Sequence, residues 1–197
     1  MLEIDADAIV DLHRRRTEDW HPEPPAAAGD GGLMGLIEDN HRHNFELWHE
    51  EDRARREDQG FEYVYRAKRA IDRLNQARND AVERIDAAIT EAVGPFADDC
   101  PINSETPGMV IDRLSILALK AYHMAEQAAR TDATADHVAA CAARLEIIET
   151  QRRDLAAALA QLLAEFAAGT RAFRLYRQFK MYNDPALNPQ LYRPQRG

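Results

Sequence analysis

Between Phe61 and Val93, and again from Val138 onward, apolar side chains return every three or four residues, and no stretch of the 197-residue chain alternates apolar and polar side chains as a half-buried strand would. That period commits the chain to helices. The first seam runs through Val64, Ala67, Ile71, Leu74, Arg78, Ala81, Ile85 and Ala88; the second runs through Val138, Cys141, Leu145, Ile148, Arg152, Leu155, Leu159, Leu162, Phe166, Gly169, Phe173 and Tyr176. The expected class is all-α, an up-and-down bundle of four long helices with a short N-terminal helix and a folded-back C-terminal tail.

The expected boundaries follow from breakers and caps. A short helix runs from Asp5 to about Arg16, and the Pro- and Gly-rich "HPEPPAAAGDGG" closes an N-terminal segment of residues 1–32. The bundle occupies 33–182: one helix from Leu33 to near Arg56 and a second from Phe61 to Val93, after which "GPFADDCP" breaks the chain. A third starts at Thr106 as N-cap with Pro107 at the first helical position and ends near Arg130; the fourth starts after Thr131 or Thr134 and continues toward Tyr182 unless Gly169 kinks it. Residues 183–197 form the tail. Its Asn-Asp-Pro and Asn-Pro turns are expected to fold it back onto the bundle, with Tyr182 or Tyr192 covering apolar surface.

Each seam is interrupted by one arginine, Arg78 and Arg152, and a guanidinium on an apolar seam costs desolvation energy unless it is paired or holds an anion. Partners are at hand on the other helices. His41, Asn44 and Glu51 share the inward stripe of Ile37 and Trp48; Lys68, Asp72, Asn75 and Asn79 flank the first seam; Arg113, Lys120 and His123 fall on one stripe with Ile116. Such a set inside a helical bundle reads in two ways. One is a buried network that only fixes helix register; the other is a pocket for a small anion, with the two arginines expected to be mostly buried around a common acidic or amide group. In the pocket reading Glu51, Asp72 or His123 is the general base, and His41, Asn44, Asn75, Arg78, Asn79, Arg113, Lys120 and Arg152 bind substrate.

Composition narrows the partners. With 34 acidic and 25 basic residues the net charge is −9, which argues against nucleic acid and anionic membrane surfaces. The charge is uneven: residues 1–166 carry −14, and six of the seven charges after them are basic. Arg171, Arg174, Arg177 and Lys180 would complement the C-terminal end of a helix dipole, or dock a phosphate or an acidic partner. Cys100 and Cys141 form neither a disulfide framework nor a C-x-x-C pair, and "MLEIDADAIV" does not read as a signal peptide, so a cytoplasmic protein is expected.

Glu46 and His49 form a single E-x-x-H, half of what a di-iron bundle needs, and they fall with Arg42 and Arg53 opposite Trp48, where a solvated face is expected. His41 and His43, two apart, point to different sides of a helix. No metal and no other cofactor is expected. The chain has no G-x-S-x-G, and "GDGGLMG" lacks the Lys of a phosphate loop.

Four ordered blocks, "HRHNFELWHEEDRARR", "KRAIDRLNQARNDAVERID", "SETPGMVIDRLSILALKAYHM" and "KMYNDPALNPQLY", resemble the bacterial family catalogued as domain of unknown function 4254, over roughly Leu33 to Tyr192. The resemblance implies a bacterial all-helical protein. Members of that family often lie beside glycosyltransferase genes of envelope polysaccharide assembly, which implies a biosynthetic role. There is a weaker resemblance to two-subunit helical enzymes that form aziridine rings, in which an amine displaces a sulfate leaving group. The expected function is therefore a cofactor-free helical enzyme acting on a small phosphorylated, sulfated or carboxylated metabolite. The alternative is a non-catalytic helical subunit, homo- or hetero-oligomeric, whose seams pair with a biosynthetic or glycosyltransferase partner.

Overall fold

The structure, a computed structural model, describes residues 4–25, 32–177, 179 and 184–192. Among these the chain is all-helical: α1 (Ala6–Trp20), α2 (Leu33–Arg53), α3 (Phe61–Val93), α4 (Pro107–Ala128), α5 (Ala135–Ala167) and the short α6 (Pro189–Tyr192). No strand occurs among the described residues, only one isolated bridge between Ile102 and Ala172.

The helix starts are set by local chemistry. Asp5, Thr106 and Thr134 are N-caps whose side chains accept from the amides of Asp7, Met109 and His137 at 3.0, 3.3 and 3.2 Å. Of the two threonines that could open α5, Thr134 does so. α1 runs four residues beyond the expected Arg16, because Thr17 and Trp20 are buried in its last turn. At the other end of the chain α5 stops at Ala167. Gly169 takes a left-handed φ of 68°, and the amide of Thr170 donates back to the Glu165 carbonyl at 3.0 Å. The second seam therefore leaves helical geometry after Phe166. Phe173 still reaches the core, since the bridge to residues 101–103 carries it back to Phe166, ring centroids 4.8 Å apart. Arg171 pairs with Glu165, and Arg174 and Arg177 lie outside any helix, so the expected dipole pairing does not form. Lys180 lies outside the described residues.

α2 packs along α3, α4 packs along α5, and α4 touches each of the four other long helices. Helix α1 lies across α2, α4 and α5, and its Ile9 and Leu12 enter one core with Ile37, Ile85, Ile89, Ile111, Leu114, Leu159 and Phe166. In the tail, the side chains of Asp184 and Asn188 accept from the amides of Ala186 and Gln190 at 2.8 and 2.9 Å. With its backbone satisfied locally, the tail leaves Leu187, Leu191 and Tyr192 exposed, and none of them enters the core. Tyr182 lies outside the described residues.

Candidate functional site

The deepest polar feature is a chain of hydrogen bonds that crosses the interior from α1 through α2 to α4, where an ion pair joins it to α3. Thr17 donates its hydroxyl proton to the His13 carbonyl at 2.8 Å, so its oxygen must accept from His41 Nε2, 3.0 Å away. His41 is then neutral with its proton on Nε2, and Nδ1 accepts from the Ser115 hydroxyl at 2.8 Å. Burial holds this imidazole down to about 3, far below an exposed histidine. Ser115 in turn accepts from Asn44 Nδ2 at 3.0 Å. The second proton of that amide goes to Asp112 Oδ1 at 2.9 Å, which also accepts from Asn40 Nδ2 at 2.9 Å. All of these side chains are buried.

The chain ends on charge. Asp112 Oδ1 lies 3.2 Å from Nε of Arg78, the arginine that interrupts the α3 seam. A buried carboxylate fed by two amides needs a cation, and Arg78 supplies it while remaining 29 % exposed. Its exposed part lines a cleft of about 340 Å³ between α2, α3 and α4. The walls of the cleft are Asn44, Asn75 and Glu51 on the polar side and Leu47, Trp48, Ile116 and Leu119 on the apolar side. The contact is an ion pair without hydrogen-bond geometry, since Arg78 Nε is buried with no hydrogen-bond partner, and no other ion pair of Arg78 occurs among the described residues, which leaves its terminal nitrogens for an oxyanion. The Glu51 carboxylate stands at the mouth, held by Arg55 at 2.9 Å and 4.0 Å from Lys68 Nζ.

Four of the residues singled out by sequence, Asn44, Glu51, Asn75 and Arg78, thus meet in one cleft, with His41 in the network beneath it. His123 is a near neighbour, its ring stacked on Trp48 at 4.7 Å and 8°. The others stand elsewhere. Asp72 is exposed and pairs with Arg69 at 3.1 Å, and Asn79 is half-buried on α3 away from the cleft wall. Arg113, paired with Glu105 at 2.6 Å, and Lys120 line a separate open groove of about 620 Å³ between α4 and α5. Arg152 is only 17 % exposed, as its seam position requires, but its partner is Glu149 on its own helix at 2.9 Å, so the two arginines share no partner. It faces α1, on the side of Asp5 and Val10.

Sequence reasoning missed Ser115, Asn40 and Thr17 and gave Asp112 no role in the site. Their signal was present only as polar residues on otherwise apolar helix faces, "MVIDRLSIL" in α4 above all. It also misplaced His49. The face opposite Trp48 was expected to be solvated, but the end of α1 folds over it, and His49 is half-buried facing His21 and His123. The other half of the E-x-x-H, Glu46, is turned to Arg42 at 3.0 Å.

Among known proteins, the family model described as "Protein of unknown function (DUF4254)" matches residues 34–175. No curated protein and no solved structure matches the chain.

Proposed function

The chain belongs to the DUF4254 family of proteins of unknown function, and on that footing we propose that the cleft between α2, α3 and α4 binds a small anionic metabolite and acts on it. The observation that supports this is Arg78, a guanidinium ion-paired with a buried carboxylate at 3.2 Å and still 29 % exposed, in a cleft lined by Asn44, Asn75 and Trp48 with Glu51, Asp52 and Arg55. A network meant only to set helix register would bury the cation fully. Here Asp112, oriented by Asn40 and Asn44, positions a cation for a ligand.

The chemistry this arrangement can do is acid-base and electrostatic. Arg78 and the amides of Asn44 and Asn75 hold a phosphate, sulfate or carboxylate, Trp48 and Ile116 cover the apolar part, and Glu51 takes a proton at the mouth. An intramolecular displacement fits. A substrate amine gives its proton to Glu51 as nitrogen bonds to carbon, and the carbon-oxygen bond to the leaving anion breaks against Arg78, as in aziridine formation. Elimination or group transfer would use the same groups. We read the protein as bacterial, cytoplasmic and biosynthetic, and α2 to α5 as an up-and-down four-helix bundle with α1 laid across it.

A second reading has its own support. Phe61 is 85 % exposed at the start of α3, stacked with the exposed Tyr65, and Phe179 is 83 % exposed. Such aromatics suit a non-catalytic subunit that pairs with a biosynthetic enzyme.

The test is a ligand-stabilisation screen with phosphorylated, sulfated and nucleotide-sugar metabolites, run on the wild type, Arg78→Met and Arg152→Met. A ligand at a hundred times its Kd adds about 2.7 kcal/mol to stability. The enzyme reading expects a rise in Tm that Arg78→Met removes and Arg152→Met keeps. A ligand whose effect survives Arg78→Met in a folded protein would end the cleft hypothesis. No response to any ligand, together with a stable oligomer, would favour the subunit reading.

A further inference from the structure

Three histidines from three different helices meet behind Trp48. His21 stands at the end of α1, His49 on α2 and His123 on α4, and one ring nitrogen from each lies within 4.8 Å of the other two. No feature of the proposed anion cleft requires them.

The protons in this cluster are already assigned by its neighbours. His21 Nδ1 is 2.6 Å from the Thr17 carbonyl, and a carbonyl can only accept, so Nδ1 carries a proton and Nε2 is the nitrogen free to face the cluster. His123 Nδ1 donates to the Glu126 carboxylate at 2.9 Å, so its Nε2 is likewise the nitrogen left to face the cluster. In both rings Nε2 is buried and has no hydrogen-bond partner. A buried ring nitrogen left unpaired is costly, and these two belong to rings of one three-histidine cluster. This is the outer arrangement typical of metal-bound imidazoles, in which the second nitrogen donates to a carbonyl or a carboxylate. His49 makes no hydrogen bond among the described residues and closes the half-exposed side.

The rings are also held in place. Tyr122 stacks on His21 at 3.9 Å, Trp48 stacks on His123 at 4.7 Å, and Phe45 meets His21 and His49 edge-on at 5.0 and 4.5 Å. Nitrogens around one zinc ion at about 2.0–2.1 Å stand roughly 3.4 Å apart in a tetrahedron, so closure asks for side-chain shifts of about 1 Å.

We propose that His21, His49 and His123 form a binding site for one divalent transition-metal ion of the zinc, cobalt, nickel or copper class, tying the end of α1 to α2 and α4. Three neutral imidazoles with no carboxylate among the ligands disfavour magnesium and calcium and leave a fourth position open. The site shares Trp48 with the anion cleft but does not depend on it.

The experiment is a Co(II) titration of metal-free full-length protein, followed by its visible d–d bands, with Zn(II) as competitor and Tm as a second readout. The expected result is one equivalent bound, tetrahedral-type bands bleached by Zn(II), a raised Tm and quenching of Trp fluorescence. His49→Gln, at the half-exposed position, should lower affinity at least tenfold, and Glu126→Gln, which touches no metal, should lower it by about 10- to 100-fold. His137→Gln should change nothing. His137 and Cys141, 3.5 Å apart on α5, are the competing two-ligand pair. Folding of each variant is checked by circular dichroism, and if one fails to fold the other carries the test. Binding that survives His49→Gln and Glu126→Gln, binding lost in His137→Gln, or a folded wild type that takes up no Co(II) would each overturn the proposal.

Discussion

Arg78 and Arg152 were equivalent in sequence, each a single cation in an apolar seam, and they differ in the structure because of what neighbours them along their own helices. Arg152 has Glu149 one turn earlier and satisfies itself locally. Arg78 has no carboxylate in hydrogen-bond contact on α3 and reaches across to Asp112. The half-buried pair implies that Arg78→Met leaves Asp112 with only amide donors, and a loss of about 1–3 kcal/mol in denaturant unfolding is expected. Asp112→Asn combined with Arg78→Met should recover part of it, as a double-mutant cycle would read. His41 makes a second prediction. Its folded pKa is depressed to about 3, so its contribution is full above the unfolded value of 6.5 and is lost as pH falls toward 3. His13, buried beside it, acts in the same direction, held well below the usual value by its own burial. In His41→Asn the slope of stability against pH between 6 and 4 should be shallower than wild type by about 1.4 kcal/mol per unit; equal slopes would show that His41 is not buried neutral.

At the level of the elements, the N-cap at Thr106, the Pro at the first position of α4 and the extent of α3 were legible, with α2 ending three residues short of Arg56 and the cap of α5 narrowed to Thr131 or Thr134, since each rests on chemistry within a few residues. What was not legible is the contact that crosses between elements. Asp86 of α3 accepts from the amide of Gly108 at 2.6 Å and so caps α4 from outside. Burial raises its carboxyl to about 6, against the pull of Thr106 and Gly108. The folded protein therefore holds this proton more tightly than the unfolded chain, a contribution full below about pH 4 and lost as pH rises through 6. Relative to Asp86→Asn, whose amide oxygen still accepts from Gly108, the wild type should lose up to about 3 kcal/mol between pH 4 and pH 7. Chemical denaturation at the two pH values checks it. The same contact forbids a side chain at Gly108, whose Cβ would lie 2.7 Å from the Val82 carbonyl and 2.8 Å from Asp86. Gly108→Ala should lower Tm by several degrees, a cost of about 1–3 kcal/mol from overpacking.

Across the whole molecule, the all-helical class and most of one cleft could be read from periodicity, because apolar spacing reports which face is buried. Helix α1 was legible as a helix but not as part of the core, since two of the six side chains it buries are polar: His13 and Thr17 beside Ala6, Ile9, Leu12 and Trp20. The family match begins at residue 34 and leaves α1 out. A fragment cut at residues 34 and 175 should nonetheless be destabilised or aggregate, because it exposes Ile37, Leu114 and Leu159 where Ile9 and Leu12 pack. Circular dichroism melting and light scattering of that fragment against the full chain measure it; an equally stable monomer would contradict the shared core.

That shared core also sets an order in time. Helix α1 is synthesised before α2 to α5, yet its partners include α5, more than 100 residues later, and the groove it shares with Arg152 closes a loop of about three quarters of the 197 residues. At about 5–20 residues per second the apolar face of α1 waits on the order of ten seconds for those partners to leave the ribosome. Until then α2 and α3 can pair locally, and the Asn44–Asp112–Arg78 junction forms when α4 arrives. The Thr17–His41 link can form once α2 is made, but the α1–α5 contacts that bury α1 come last. The earliest-made of these five helices is thus the last to be fully locked in.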